Sequence, residues 1–193
     1  QLYPGAPVGT GPVGDPRGNN GRLEINENTP TDQLIAWTLQ RFAHQKMIMT
    51  TSFGMEGCAL IDMYAKHGKP VTVVYLDTMF FFPETYALRD RMVERYPHLH
   101  FVNRGTTLTP EEQAAQYGPE LWKHNPTQCC KIRKVDPMYP VMAEADVWIT
   151  GLRRSQSATR ANLRGIDWDW RYQVLKISPM ANWERGEIWE YIR

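Results

Sequence analysis

The sequence predicts an α/β fold built on a mostly parallel sheet with helices on both faces. Three observations lead there. Short apolar runs at 47–51, 71–76 and 146–150 are nearly unbroken, as strands buried on both sides require. Stretches of helical periodicity separate them. Each run ends in an unusual loop, at 52–57, 77–82 and 151–160, and loops at the carboxyl ends of parallel strands are where such sheets bind ligands. The three loops are therefore expected to converge on one site.

The first 22 residues are rich in Gly and Pro and poor in large apolar side chains, which predicts a flexible tail before a single domain over 23–193. Thr31 is placed to cap a helix over 32–44, with Leu34, Ile35, Thr38, Leu39 and Phe42 on its buried face. The strand at 47–51 leads through its loop into a helix ending near Gly68. The strand at 71–76 is followed by a helix that Pro83 opens at its first position. A strand near 99–102 precedes a helix whose start, Thr109-Pro110-Glu111-Glu112, has capping-box spacing. Two more strands are expected at 146–150 and 172–177, then a helix from Glu184 to Arg193.

A formal net charge of +1 gives no global attraction to nucleic acid or membrane, so an anion site must come from local clustering. No apolar run approaches the roughly 18 residues of a membrane helix, and the start lacks a signal-peptide pattern, so a cytoplasmic protein is expected. The three cysteines do not form a secreted disulfide framework. Adjacent Cα atoms lie about 3.8 Å apart, below the ~4.4–6.8 Å of a relaxed disulfide, so Cys129 and Cys130 are expected as thiols or metal-bound thiolates.

The loop Ser52-Phe53-Gly54-Met55-Glu56-Gly57 offers close backbone approach and a helix start, which suits a phosphate and equally suits a structural turn. Asp77 and Thr78, after Leu76, are placed either to orient a loop or to accept from a ribose or base amine. The segment from Gly151 to Arg160 gathers Arg153, Arg154 and Arg160 with Gln156 and Thr159, a composition suited to an anion clamp or to a solvated loop.

In order, SFGMEG, YLDTMFFFPETY, GLRRSQSATRA and SPMANWERGEIWEYI resemble the sulfonucleotide reductases, the adenylyl-sulfate and phosphoadenylyl-sulfate reductases. The resemblance covers roughly residues 30–193 and implies a Rossmann-like, adenine nucleotide alpha-hydrolase-like fold. It implies that Ser52, Phe53, Gly54, Met55, Glu56 and Gly57 line the phosphosulfate and ribose, and that Leu76, Asp77 and Thr78 lie beside the adenine. Arg153, Arg154, Gln156, Thr159 and Arg160 would fix the nucleotide's charge, with Lys134 facing the sulfate. Cys129-Cys130 resembles the first half of a motif that binds a 4Fe-4S cluster in the adenylyl-sulfate reductases. Cys58 reads as a small core residue.

The activity so implied is reduction of adenylyl sulfate to sulfite and AMP in sulfate assimilation, with thioredoxin as electron donor and an S-sulfocysteine intermediate. The second cysteine pair and the nucleophilic tail cysteine of that family do not occur in these residues, so the sequence is read as lacking the family's C-terminal tail. Two of four cluster ligands are present. A phosphoadenylyl-sulfate or dual-substrate reductase stays open, as does an ATP pyrophosphatase such as a sulfate adenylyltransferase small subunit. Against the latter, Met55 stands where ATP-cleaving relatives carry a lysine. A nucleotide- or RNA-binding module is disfavoured by the neutral charge. Oligomeric state and the thioredoxin surface are not legible.

Overall fold

A computed structural model describes residues 25–193; the expected tail over 1–22 lies outside the described residues. Helix α1 (Thr31–Arg41) buries Leu34, Ile35, Thr38 and Leu39 as its spacing predicts, and Phe42 joins the same core. Thr31 is not its cap. The N-cap is Pro30, and Thr31 opens the helix with its hydroxyl donating to the Pro179 carbonyl (2.9 Å) and accepting from Trp183 Nε1 (2.8 Å). That side chain ties the helix to the SPMANW segment 148 residues away, which its local sequence does not reveal.

Strands β1 (Met47–Thr51), β2 (Thr72–Tyr75) and β3 (His100–Asn103) follow, separated by α2 (Met55–Lys66) and α3 (Pro83–Arg95). Helix α2 gives way at Gly68, whose φ of 66° a side chain would resist. Helix α4 (Pro110–Tyr117) carries the expected capping box, in which Thr109 Oγ1 accepts from the Glu112 N–H (3.1 Å) and Glu112 Oε2 from the Thr109 N–H (2.8 Å). Short helices α5 (Leu121–His124) and α6 (Pro126–Cys130) run into a π-helical turn over Lys131–Val135 and then α7 (Asp136–Ala143). Pro137 has no N–H to return to the Arg133 carbonyl, so the ordinary ladder cannot pass through this point and the turn widens.

Strand β4 (Val147–Thr150), two 3₁₀ turns, β5 (Ile166–Asp169), β6 (Val174–Ile177) and α8 (Arg185–Ile192) complete the chain. The sheet order is β3-β2-β1-β4-β6-β5, parallel throughout except that β5 runs antiparallel to β6. Strand β5 is absent from the sequence reading because its alternation, Ile166-Asp167-Trp168-Asp169, is too short and too acidic to stand out.

Alternate side chains enter opposite faces. Met49, Val73, Ile149 and Ile177 join α1, α2 and α8 in the larger core, whereas Ile48, Val74 and Val174 meet Val141 and Met142 of α7 on the other side. Both faces are thus covered, as the unbroken apolar strands predict. Strand order runs outward in both directions from the β1–β4 pair, which places the reversal point between them.

Candidate active site

The loops after β2, β1 and β4 open side by side at the carboxyl edge of the sheet, because those three strands are neighbours. Two glycines hold the central loops close. A Cβ on Gly57 would stand 2.2 Å from Thr51 Oγ1, and one on Gly151 would stand 3.2 Å from Glu56 Cβ, so the β4 loop lies directly on the first turn of α2. Phe53 takes a left-handed φ of 59° with its ring buried edge-on against Tyr75, leaving Ser52 and Gly54 exposed. Gly54 caps α2 with no side-chain hydrogen bond of its own, so the positive end of a 12-residue helix faces the reversal point.

Glu56 is the hub of this loop. Its Oε1 accepts from Arg153 Nη2 (2.7 Å), Arg153 Nε (3.2 Å) and Gln156 Nε2 (3.1 Å). Burial pushes the Glu56 carboxyl up, and the hydrogen bonds from Arg153, its own backbone and Gln156 outweigh it, leaving the group below its ordinary range. The Arg153 side chain is only 5% exposed and also reaches Ser155 Oγ (2.7 Å) and the Trp183 carbonyl (3.3 Å). Gln156 Oε1 accepts in turn from the Arg153 N–H (3.1 Å) and from Arg160 Nη1. Glu56, Arg153, Gln156 and Arg160 therefore form one linked unit, joining SFGMEG to the arginine segment.

Arg154 and Thr159 stand apart from it. Arg154 turns to Glu27 (2.7 Å) and the Leu163 carbonyl (2.6 Å), and Thr159 pairs with Ser157 (2.9 Å). The clamp expected from three guanidinium groups is thus a clamp already closed on the protein's own carboxylates at two of its three members.

Beside it, Asp77 organises the β2 loop. Its Oδ1 accepts from the Met79 N–H (2.7 Å) and from the Tyr86 hydroxyl (2.8 Å), while Leu76 is half-buried and Thr78 buried. Met79 is a second left-handed position, at φ 60°. Gly105 presses so close that a Cβ there would meet Asp77 O at 2.2 Å.

The cysteine pair is joined to this loop rather than to the arginine unit. Cys129 is buried and Cys130 exposed. Arg133, 1% exposed, donates to Gln113 Oε1 (2.8 Å), the Leu108 carbonyl (2.7 Å) and the Thr78 carbonyl (3.4 Å), and lies over the Phe80 ring. Gln113 Nε2 donates to Cys129 Sγ (3.9 Å). Burial lowers the Arg133 pKa, the charge of Cys129 opposes that shift, and Arg133 Nη2 is buried with no partner among the described residues, so a charged donor near Cys129 is left unsatisfied. Among the described residues no three Cys, His, Asp or Glu side chains converge as metal ligands. Lys134 is exposed and has no hydrogen-bond partner among the described residues.

Cys58 is half-buried in α2 with its thiol donating to the Phe53 carbonyl (3.5 Å), and burial pushes it up to about 11. Sequence reasoning missed Glu27, Gln113 and Tyr86. Tyr86 closes the YLDTMFFFPETY stretch, where only Leu76, Asp77 and Thr78 were singled out, whereas no motif marks Glu27 or Gln113, whose partners lie at least 16 residues away.

A family profile described as the phosphoadenosine phosphosulfate reductase domain matches residues 46–193. The chain is 41% identical over 167 residues to an adenosine 5'-phosphosulfate reductase of Shouchella clausii, covering 86% of this chain and 69% of that protein. It is 43% identical over 172 residues to the enzyme of the same name from Halalkalibacterium halodurans, covering 88% and 74%. Among solved structures, phosphoadenylyl-sulfate reductase from Candida auris in a phosphate complex superposes with a TM-score of 0.72 at 28% identity, over 86% of this chain and 79% of that one. An NH3-dependent NAD synthetase from Campylobacter jejuni, at 10% identity and a TM-score of 0.58 over 87% and 72%, shares the fold alone. Motif order, loop geometry and these relatives agree: the chain belongs to the phosphoadenosine phosphosulfate reductase family.

Proposed function

We propose that this chain is the nucleotide-binding domain of a thioredoxin-dependent reductase that converts adenylyl sulfate to sulfite and AMP in sulfate assimilation. The observation that carries the reading is the Glu56–Arg153–Gln156–Arg160 unit, set against the uncapped start of α2 at the β1–β4 reversal point. The names of the two bacterial relatives support the unphosphorylated nucleotide as substrate.

In this reading Ser52 and Gly54 and the first turn of α2 receive the phosphosulfate, with Arg160 and Lys134 adding charge. Leu76, Asp77 and Thr78 line the adenine. Arg153 serves as the brace that holds the loop to Glu56. A cysteine thiolate attacks the sulfate sulfur, the bond from sulfur to the AMP oxygen breaks, and AMP leaves with the electron pair. A thioredoxin thiolate then attacks the cysteine sulfur of the S-sulfocysteine, sulfite departs with two electrons, and the second thioredoxin thiol resolves the mixed disulfide. The attacking cysteine is none of the three in this chain: Cys58 has a raised pKa, and Cys129 and Cys130 are assigned as ligands.

Cys129 and Cys130 would hold two irons of a 4Fe-4S cluster, which when bound supplies polarisable sulfur and negative charge beside Arg133 and Lys134. No described helix is long and apolar enough to cross a membrane.

Calorimetric titration with adenylyl sulfate, its 3′-phosphorylated form and ATP tests the reading. Adenylyl sulfate is expected to bind and ATP to remain intact. Release of pyrophosphate from ATP overturns the assignment in favour of an ATP pyrophosphatase.

A further inference from the structure

Glu27 lies before α1, outside every motif, yet its carboxylate receives three donors from the far end of the chain. Oε2 accepts from Arg154 Nη2 (2.7 Å) and the Gly165 N–H (3.2 Å), and Oε1 accepts from Arg164 Nε (3.1 Å). Its backbone carbonyl accepts from Asn182 Nδ2 (2.6 Å). Two guanidinium groups and a backbone N–H converging on two oxygens are the donor set that proteins use for phosphate and sulfate. Here a carboxylate from the protein itself fills it. The cradle closes the loop that begins at Arg153, and Arg154 is the direct neighbour of the residue that braces Glu56.

We propose that Glu27 is a specificity-determining positioning residue: it occupies an anion cradle formed by Arg154, Arg164 and Gly165, and by spending those charges it disfavours a nucleotide that carries a further phosphate. The inference rests on the nucleotide-reductase reading above. A further phosphate adds two negative charges that need cationic partners, and in the wild-type protein the guanidinium groups of Arg154 and Arg164 are already paired with Glu27. Adenylyl sulfate, with one phosphosulfate bridge, does not need them. The side chain is 40% exposed, so each ion pair is a modest one and the discrimination is a ratio rather than an absolute block.

The test compares wild-type protein with Glu27→Gln and Glu27→Asp by titration with adenylyl sulfate and with its 3′-phosphorylated form. Glu27→Gln preserves shape and removes the charge. It is expected to raise the affinity for the phosphorylated form relative to adenylyl sulfate by roughly fivefold to tenfold, the worth of two exposed ion pairs. Glu27→Asp is expected to return the ratio toward wild type. A loosened loop would weaken both nucleotides together, so an unchanged ratio overturns the proposal, as does a ratio that moves the other way. If wild-type protein binds neither nucleotide, the functional reading fails on its own. The cradle is then still decided by inorganic phosphate, which should raise the melting temperature of Glu27→Gln more than that of wild type; equal shifts refute it.

Discussion

Removing the Glu56 carboxylate should unmask the cost of burying Arg153. The two side chains are 19% and 5% exposed, and one carboxylate oxygen takes two guanidinium bonds and one amide bond. Breaking a buried pair from one side costs about 3–5 kcal/mol, because the remaining charge is left desolvated. Arg153 keeps Ser155 Oγ and the Trp183 carbonyl, which places Glu56→Ala at the lower end, about 3 kcal/mol. In a domain of this length that corresponds to a melting-temperature drop of roughly 6–12 °C. Denaturant unfolding of Glu56→Ala, Arg153→Met and the double variant closes a thermodynamic cycle. A coupling of about 2 kcal/mol is expected, with the double variant far less destabilised than the sum of the single ones. A loss below about 0.5 kcal/mol for Glu56→Ala, or coupling near zero, would refute the view that this pair locks the two loops together.

The same carboxylate predicts a pH dependence. Glu56 and Asp62, with ordinary values of 4.5 and 3.8, are both held lower in the folded chain, despite burial, by Arg153 and Gln156 in one case and by Lys66, Tyr191 and Tyr96 in the other. A depressed folded pKa contributes stability that is complete above the unfolded value and is lost as pH falls through the folded one. Stability due to these groups should therefore hold from pH 7 to about 5 and decline below, and Glu56→Gln should lose less over that acid interval than wild type. Gly105→Ala should cost about 2 kcal/mol or more, because its Cβ would meet Asp77 backbone oxygen at 2.2 Å, whereas Gly186→Ala in α8 meets nothing within 4 Å and should be neutral or stabilising; unfolding midpoints decide. Thiol alkylation followed by mass spectrometry should label exposed Cys130 first. Cys58, with its pKa pushed up to about 11, should resist at pH 8, where about one thiol in a thousand is ionised; early labelling of Cys58 would contradict its buried contact with Phe53.

Local chemistry made much of the fold legible. Strands at 47–51 and 146–150, Pro83 opening α3 and the Thr109–Glu112 capping box follow from rules that operate within a few residues, and the structure places each where those rules put it. Elements whose reason lies elsewhere were not legible. Thr31 has the composition of a cap, but its hydroxyl is claimed by Pro179 and Trp183; β5 is a strand because β6 offers it an edge.

The sequence by itself determined the chemistry available: an α/β sheet, a glycine-bearing helix start, an arginine-rich segment and adjacent cysteines poorly placed to bridge each other. Only the tertiary structure decided how that chemistry is spent. It gave Arg153 to Glu56 and Arg154 to Glu27, left Arg160 tied to the network through Gln156, and turned Arg133 inward toward Gln113 and Thr78. The physical reason is that a guanidinium group's role depends on which acceptor lies within about 3 Å of it, and those acceptors come from helices and loops up to 127 residues away.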